Sequence, residues 1–252
     1  MKKRFRDRME AGQLLAAELT AYADRPDVLV LALPRGGVPV AFEVAQALHV
    51  PLDILVVRKL GVPGHEELAM GALATGGVRV LNPQVVEGLH IPPEVIDRVV
   101  AREQQELERR ERLYRGDRPP YTVRGRTIIL VDDGIATGAT MHAAALALKQ
   151  QQPTRLVIAV PVAAAPTCEE LAEVADEVVA VLKPRDLFAV GYWYESFPQM
   201  TDEEVRDLLA RAWHEDLMAP QKPPRTPAAA IRRKMSRQPR QYRTKAATST
   251  DL

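Results

Sequence analysis

The sequence predicts an α/β protein, a parallel β-sheet flanked by helices on both faces. Three observations carry this. Short runs such as Val28–Leu33, Thr127–Val131 and Leu156–Val162 are apolar throughout, without the polar alternation of a half-solvated strand, which marks strands covered on both sides. Segments with helical spacing separate them, and strand–helix alternation is the pattern of a parallel sheet. Three loops rich in Gly, Arg or Asp, namely Pro34–Gly37, Arg58–Glu67 and Asp132–Thr140, directly follow strands, and open α/β sheets bind ligands at the carboxyl ends of their strands.

Taken in order, the run from Asp27 to Arg35 reads as a buried strand closed by a Pro-Arg-Gly-Gly turn. Val38 to Leu48 has helical spacing, with Val40, Val44, Ala47 and Leu48 on one side. Leu52 to Val57 is a second buried strand, and Val78 to Leu81 a short third. Pro93 to Tyr114 is a long charged helix in which Glu94–Arg98, Arg102–Glu106, Glu106–Arg110 and Glu108–Arg112 stand at i,i+4 spacing. Residues 82–120 therefore read as a helical insertion. It is expected to pack on the sheet edge or to mediate a dimer, and its alternating charges suit a solvated face. Thr127 to Val131 is a strong strand, followed by an Ala-rich helix from Ala139 to Gln151. Leu156 to Val162 and Glu177 to Leu182 are strands around a helix from Pro166 to Val174. Thr201 to Leu217 is a last helix, and Thr201 with Glu204 forms a capping box.

The chain has 252 residues, 46% of them apolar, enough for a sizeable core. Its single cysteine, Cys168, excludes an internal disulfide and reads as core packing. The start, MKKRFRDRMEAGQLL, has no apolar stretch or small-residue cleavage site, so a cytoplasmic protein is expected. Residues 219–252 hold nine Lys or Arg, one Asp and five Pro, a net +8 in a chain whose total is +1; the first 218 residues thus carry −7. Such a tail buries too little apolar surface to offset its ordering entropy. The folded domain is expected to be residues 1–218, and any nucleic-acid contact to fall to the tail.

The chemistry concentrates in Val131–Thr140, VDDGIATGAT. Gly134 and Gly138 permit close approach of a ligand, the amides of residues 135–140 lead into a helix N-terminus suited to phosphate, and Thr137 and Thr140 add hydroxyls. The carboxylates of Asp132 and Asp133 can accept from a vicinal diol and help hold a hydrated Mg²⁺. A strand, two acidic residues and a T-G-x-T loop together resemble the phosphoribosyl pyrophosphate (PRPP) signature of type I phosphoribosyltransferases. No G-K-[ST] follows the glycines, so this is not a Walker loop. The resemblance spans roughly residues 28–200. It implies that Asp132 and Asp133 contact the ribose hydroxyls and that Gly134, Ile135, Ala136, Thr137, Gly138, Ala139 and Thr140 enclose the 5′-phosphate. It also implies catalytic roles for Arg35, Arg58, Lys59, Asp132 and Asp133, with Mg²⁺ held indirectly by the two aspartates.

The other loops take their meaning from this one. Alone, Pro34-Arg35-Gly36-Gly37 is a plain turn. In the family a loop here grips pyrophosphate through amides and an Arg, often beside a non-proline cis peptide; Gly36 and Gly37 free the amides, and Arg35 offers a fork for phosphate oxygens. Arg58 and Lys59, placed at the end of the second strand, would face pyrophosphate too. Leu60 to Gly77, with five glycines and His65, Glu66 and Glu67, resembles the flexible loop that closes over this active site, with mobility centred on Gly61–Glu67. Residues 183–200 resemble the hood that holds the base. Lys183 and Asp186 match the position where purine-using relatives recognise it, and Trp193 and Phe197 are candidates to stack on it or to plug the sheet against the last helix.

The implied activity is transfer of the phosphoribosyl group from PRPP to a nitrogenous base, purine-like in preference, with release of pyrophosphate, by a protein acting as a dimer. Two alternatives stay open: a regulator that binds PRPP without turnover, with the basic tail on nucleic acid, and a hydrolase of phosphorylated sugars.

Overall fold

The computed structural model describes residues 4–218; the basic tail lies outside the described residues. Eight strands and seven α-helices occur among them: α1 (Arg8–Glu18), β1 (Val28–Ala32), α2 (Gly37–Leu48), β2 (Leu52–Ile54), β3 (Val57–Val62), β4 (His65–Ala74), β5 (Val78–Leu81), α3 (Pro83–Gly88), α4 (Pro93–Arg115), β6 (Thr127–Val131), α5 (Ala139–Gln150), β7 (Arg155–Val162), α6 (Ala165–Ala172), β8 (Glu177–Leu182) and α7 (Asp202–Met218).

The main sheet has the order β2-β1-β6-β7-β8, and every pairing in it is parallel. Alternation along each strand divides the core. Val28, Val30, Ala32, Ile129 and Val131 join one cluster with residues of α1, α2 and α7. Leu29, Leu31, Ile128 and Leu130 join the opposite cluster with α5 and α6. Both faces are thus covered, which is why these strands are apolar throughout. α7 opens with the expected capping box: the Thr201 N–H donates to Glu204 at 2.8 Å and the Glu204 N–H to Thr201 Oγ1 at 3.1 Å.

Three expectations fail between residues 52 and 81. The second buried strand is two strands: the chain leaves the main sheet after Ile54 and re-enters extended structure at Val57 in a separate antiparallel sheet, β3-β4-β5. Val78–Leu81 pairs with β4 there, not in the parallel sheet. The predicted flexible loop Leu60–Gly77 is largely a β-hairpin, with bulges at Leu60–Val62 and a turn carrying Gly64 at φ 81°. Leu60 and Met70 are fully buried, and their burial fixes the register that the glycines disguised.

α1 was not foreseen. Asp7 caps it, accepting from the Glu10 N–H at 2.9 Å, and its Ala11, Leu15 and Ala16 are buried.

The insertion is clamped to the sheet edge by a buried ion pair. Arg115, the last residue of α4, reaches Asp53 of β2 at 3.2 Å, with the two side chains 4% and 3% exposed. It also donates to the Ile54 carbonyl at 3.0 Å, and Asp53 accepts from the Tyr121 N–H at 3.2 Å. Asp53→Ala leaves the buried guanidinium with Glu111, at 3.5 Å on its own helix, as its charge partner. It is expected to cost about 3–5 kcal/mol in urea melts; a loss under about 1 kcal/mol would show that the clamp contributes little to the fold.

Candidate active site

β1 and β6 lie side by side, and their outgoing connections run to opposite sides of the sheet, β1 toward β2 and β6 toward β7. That is the topological switch point, where a crevice opens beyond the strand ends. The Pro34–Gly37 and Asp132–Thr140 loops meet there. The Leu33 N–H donates to the Val131 carbonyl at 2.9 Å. A Cβ on Gly36 would overlap the Asp133 carboxylate, and one on Gly37 would sit 2.8 Å from the Val131 carbonyl oxygen. Only glycine admits this approach. The Pro34–Arg35 peptide is cis, the non-proline cis bond that the resemblance implied for this loop.

The two aspartates are largely enclosed. Asp132 Oδ1 accepts from the Asp133 N–H at 2.8 Å. Asp133 Oδ2 accepts from Nε of Arg8, the first residue of α1, at 2.8 Å, and the two side chains are 14% and 9% exposed. The Tyr194 hydroxyl donates to the Asp133 carbonyl at 2.6 Å. Burial pushes both carboxyls up, Asp132 well above the usual range, with the neighbouring Asp133 charge adding to it; Arg8 pulls both back down. The Tyr194 hydroxyl is also raised, chiefly by burial and then by Asp133.

The Asp132–Thr140 loop is pinned on its inner side and open on its outer side. Ile135 is an anchor and not an amide donor to phosphate: its side chain is 3% exposed and its N–H donates to the Val162 carbonyl at 2.9 Å. Thr167 Oγ1 donates to the Ala136 carbonyl at 3.0 Å. Gly138 turns at φ 74° to start α5. The first helical bond runs from His142 N–H to Gly138 at 2.8 Å, so the N–H groups of Ala139, Thr140 and Met141 precede it and have no intrahelical partner. Thr137, Ala139 and Thr140 are exposed. Beside them a groove of about 480 Å³ runs between the hairpin sheet and α5, lined by Ala72, Val80, Thr137, Gly138, Ala139 and His142 among others.

Arg35 stays near its loop, 3.8 Å from Asp202 at the start of α7. Asp202 also accepts from the Tyr114 hydroxyl of α4 at 2.6 Å, and burial, with that bond, pushes Tyr114 up to about 12. Arg58 and Lys59 do not end a strand of the main sheet. They are adjacent residues inside β3, so strand alternation sends them to opposite faces. Arg58 turns to α4, where Glu103 accepts from its Nη2 at 2.7 Å and its Nε at 2.9 Å. Lys59 is exposed and pairs with Ala72, which lines the groove.

The hood packs directly on the motif: a Cβ on Gly134 would meet Val190 at 2.5 Å. Trp193, expected as a stacking candidate, is 6% exposed in a plug with Phe5, Tyr194 and Val162, so its faces are spent on packing. Phe197 is half-buried, and the Arg8 guanidinium lies 3.8 Å from its centroid. Lys183 and Asp186 are exposed in the segment leaving β8. Two rings there are offered to solvent, Phe188 at 98% exposed and Tyr192 at 61%; sequence reading passed over Phe188 because it stands outside the Tyr192–Phe197 cluster. Arg8 was missed as well: its partner is 125 residues away, and no local pattern announces such a pairing.

Among the described residues no group of three or more His, Cys, Asp or Glu gathers as a metal cage. Two carboxylates, one bonded to Arg8, suit a hard cation that brings most of its ligands as phosphate oxygens and water. No helix of the described residues is long and apolar enough to cross a membrane.

Comparison with known proteins agrees with this geometry. Residues 6–196 match the family model described as "Phosphoribosyl transferase domain". Two curated Mycobacterium tuberculosis proteins, each named "Putative phosphoribosyl transferase", are 50% identical over 216 residues, 85% of this chain and 48% of theirs; the chain spans about half the length of these relatives. The crystal structure of a Thermus thermophilus protein, TT1426, is 45% identical, with a TM-score of 0.75 over 82% of this chain and 98% of that one. The chain belongs to the phosphoribosyl transferase domain family.

The buried aspartates generate a stability prediction. A carboxyl whose pKa is higher folded than unfolded costs stability once pH exceeds its unfolded value, and the cost reaches its full size above the folded value. Asp132→Asn keeps an oxygen for the Asp133 N–H and removes the charge. The variant is expected to melt higher at pH 8, by roughly 2–4 °C for each kcal/mol relieved in a domain of this size, with a smaller advantage at pH 5. A lower Tm at pH 8 would show that burial of Asp132 carries no such cost.

Proposed function

We propose that the chain is a phosphoribosyltransferase, transferring the 5-phosphoribosyl group of PRPP to a nitrogenous base and releasing pyrophosphate. The observation that carries this reading is the convergence at one switch point of a glycine loop bearing Arg35 and a phosphate loop headed by Asp132 and Asp133. Asp132 and Asp133 accept the ribose hydroxyls. The N–H groups at the start of α5, with Thr137 and Thr140, hold the 5′-phosphate. The amide of Gly36 and the fork of Arg35 bind the pyrophosphate, and Lys59 adds a cation from the hairpin face; the Gly37 N–H, expected to join them, is engaged by the Leu33 carbonyl at 3.1 Å, and Gly37 serves the close approach to Val131 instead. Arg58 contributes there only after leaving Glu103. Mg²⁺ carried by the diphosphate, with Asp132 and Asp133 reaching it through water, would neutralise leaving-group charge.

The base nitrogen attacks C1 of the ribose as the bond from C1 to pyrophosphate breaks, with inversion. The protein's part is positioning and charge stabilisation. Lys183, Asp186 and the exposed ring of Phe188 are the hood groups assigned to the acceptor, in preference to Trp193 and Phe197.

The direct test is incubation with PRPP, Mg²⁺ and each common base while pyrophosphate release is followed. Release with none of them, despite PRPP binding in calorimetry, would favour a PRPP-binding regulator instead. In the same titration Asp132→Asn/Asp133→Asn should weaken PRPP affinity by roughly 100-fold, about two charge-assisted hydrogen bonds, without unfolding the domain. Arg35→Lys keeps the charge but loses the bidentate fork. It should lower turnover while leaving ribose 5-phosphate affinity unchanged, and equal effects on both would remove Arg35 from the pyrophosphate site.

A further inference from the structure

Arg8 lies outside every motif of the family signature, yet it makes the one salt bridge to that signature seen among the described residues. Its side chain is held from three sides. Nε donates to Asp133 Oδ2 at 2.8 Å, Nη1 donates to the Pro198 carbonyl at 2.7 Å, and the guanidinium plane lies over the Phe197 ring at 3.8 Å. A planar fork can satisfy all three together, and an ammonium cannot. The segment that presents Arg8 is itself fixed to the hood: the Phe5 N–H donates to the Trp193 carbonyl at 2.8 Å, and the Glu195 and Ser196 N–H groups donate to the carbonyls of Phe5 and Arg6 at 2.8 and 2.9 Å.

We infer that Arg8 is a positioning residue for ribose recognition, holding the Asp133 carboxylate in the orientation that accepts the sugar hydroxyls and making that orientation depend on the hood. This rests on the phosphoribosyl reading of the site. Asp133 Oδ2 is engaged by Arg8, so the carboxylate cannot turn freely, and its other oxygen has a set direction before ligand arrives. Such support of a ligand-contacting group by a second, locked side chain preserves geometry at the sub-ångström level that binding needs. Two of the three groups that hold Arg8, Phe197 and Pro198, belong to the hood, so a shift of the hood on binding an acceptor is felt at the ribose carboxylate.

The test is calorimetric titration of the full chain with two probes, ribose 5-phosphate, which carries the diol, and Mg²⁺-pyrophosphate, which does not. Arg8→Gln leaves the Asp7 cap of α1 in place. It should weaken ribose 5-phosphate by roughly tenfold or more, the scale of one charge-assisted hydrogen bond, and change pyrophosphate by less than about twofold. Arg8→Lys, which retains the cation and carries the test if Arg8→Gln does not fold, should show a smaller loss with the same selectivity. In an Asp133→Asn background Arg8→Gln should add no further loss, because coupled residues are not additive. Equal losses for both probes in either variant would reduce Arg8 to a structural residue. Wild-type affinity for ribose 5-phosphate in both variants would overturn the inference while leaving the phosphoribosyl reading intact. A wild-type chain that binds neither probe removes that reading, and this inference with it.

Discussion

The close approach of two loops at the β1–β6 switch point is the constraint on which the site depends. The parallel register of β1 and β6, carried on by the bond from Leu33 to the Val131 carbonyl, brings Gly36 and Gly37 against Asp133 and Val131. A side chain on either glycine would push the loops apart, and the carboxylates would part from the Arg35 loop that faces them across the crevice. The sheet fixes this distance because its strands are packed on both faces, and a packed sheet does not yield by small amounts.

That geometry places charge where water is scarce, and the surrounding elements answer with paired charges. Arg8 faces Asp133, Asp202 faces Arg35, and Glu103 faces Arg58. The pairs are unequal. Arg8–Asp133 is short and enclosed, so losing either partner leaves a buried charge. Arg35–Asp202 is 3.8 Å long with side chains 35% and 45% exposed, a contact of little energetic weight, so Arg35 is free to turn to an anionic ligand. The insertion helix α4 serves this arrangement from outside the core: its Glu103 holds Arg58, its Tyr114 holds Asp202, and its terminal Arg115 fastens it to β2.

The legible parts of the sequence were those whose signal is local. Thr127–Val131 and Glu177–Leu182 read as strands with the bounds they have, because a run of branched apolar residues between turn signals has few other outcomes. The motif loop was legible for the same reason: its aspartates, glycines and threonines act within one short stretch of chain. The hairpin was not. Glycines at 61, 64, 71, 76 and 77 read as freedom, whereas Gly61 and Gly71 are sites of close approach, where a Cβ would meet the Glu66 and Val80 carbonyls. α1 hid behind a charged, weakly amphipathic start, and its Arg8 pairs with Asp133, far along the chain. Trp193 and Phe188 show a related limit: composition locates an aromatic cluster but does not tell which ring is packed and which is offered.

The hairpin changes what can close over a ligand. A loop of free backbone could fold over the crevice anywhere along residues 60–77, but β3 and β4 are paired from Val57–Ala74 to Leu60–Gly71, with Leu60 and Met70 buried and Arg58 bonded to Glu103. Moving that part would break a ladder and expose core, at a cost comparable to local unfolding. The residues that escape these ties are Pro63 to Leu68, all exposed, beyond the bulges at Leu60–Val62. Bulges twist and weaken a ladder at the point where they occur, so the hinge belongs there. Under the proposed function, any closing over PRPP falls to the exposed tip Pro63 to Leu68 and not to the whole of residues 60–77. Lys59, exposed just before the bulges, pairs across the ladder with Ala72, which lines the groove, and so keeps its place in the stable part of the hairpin.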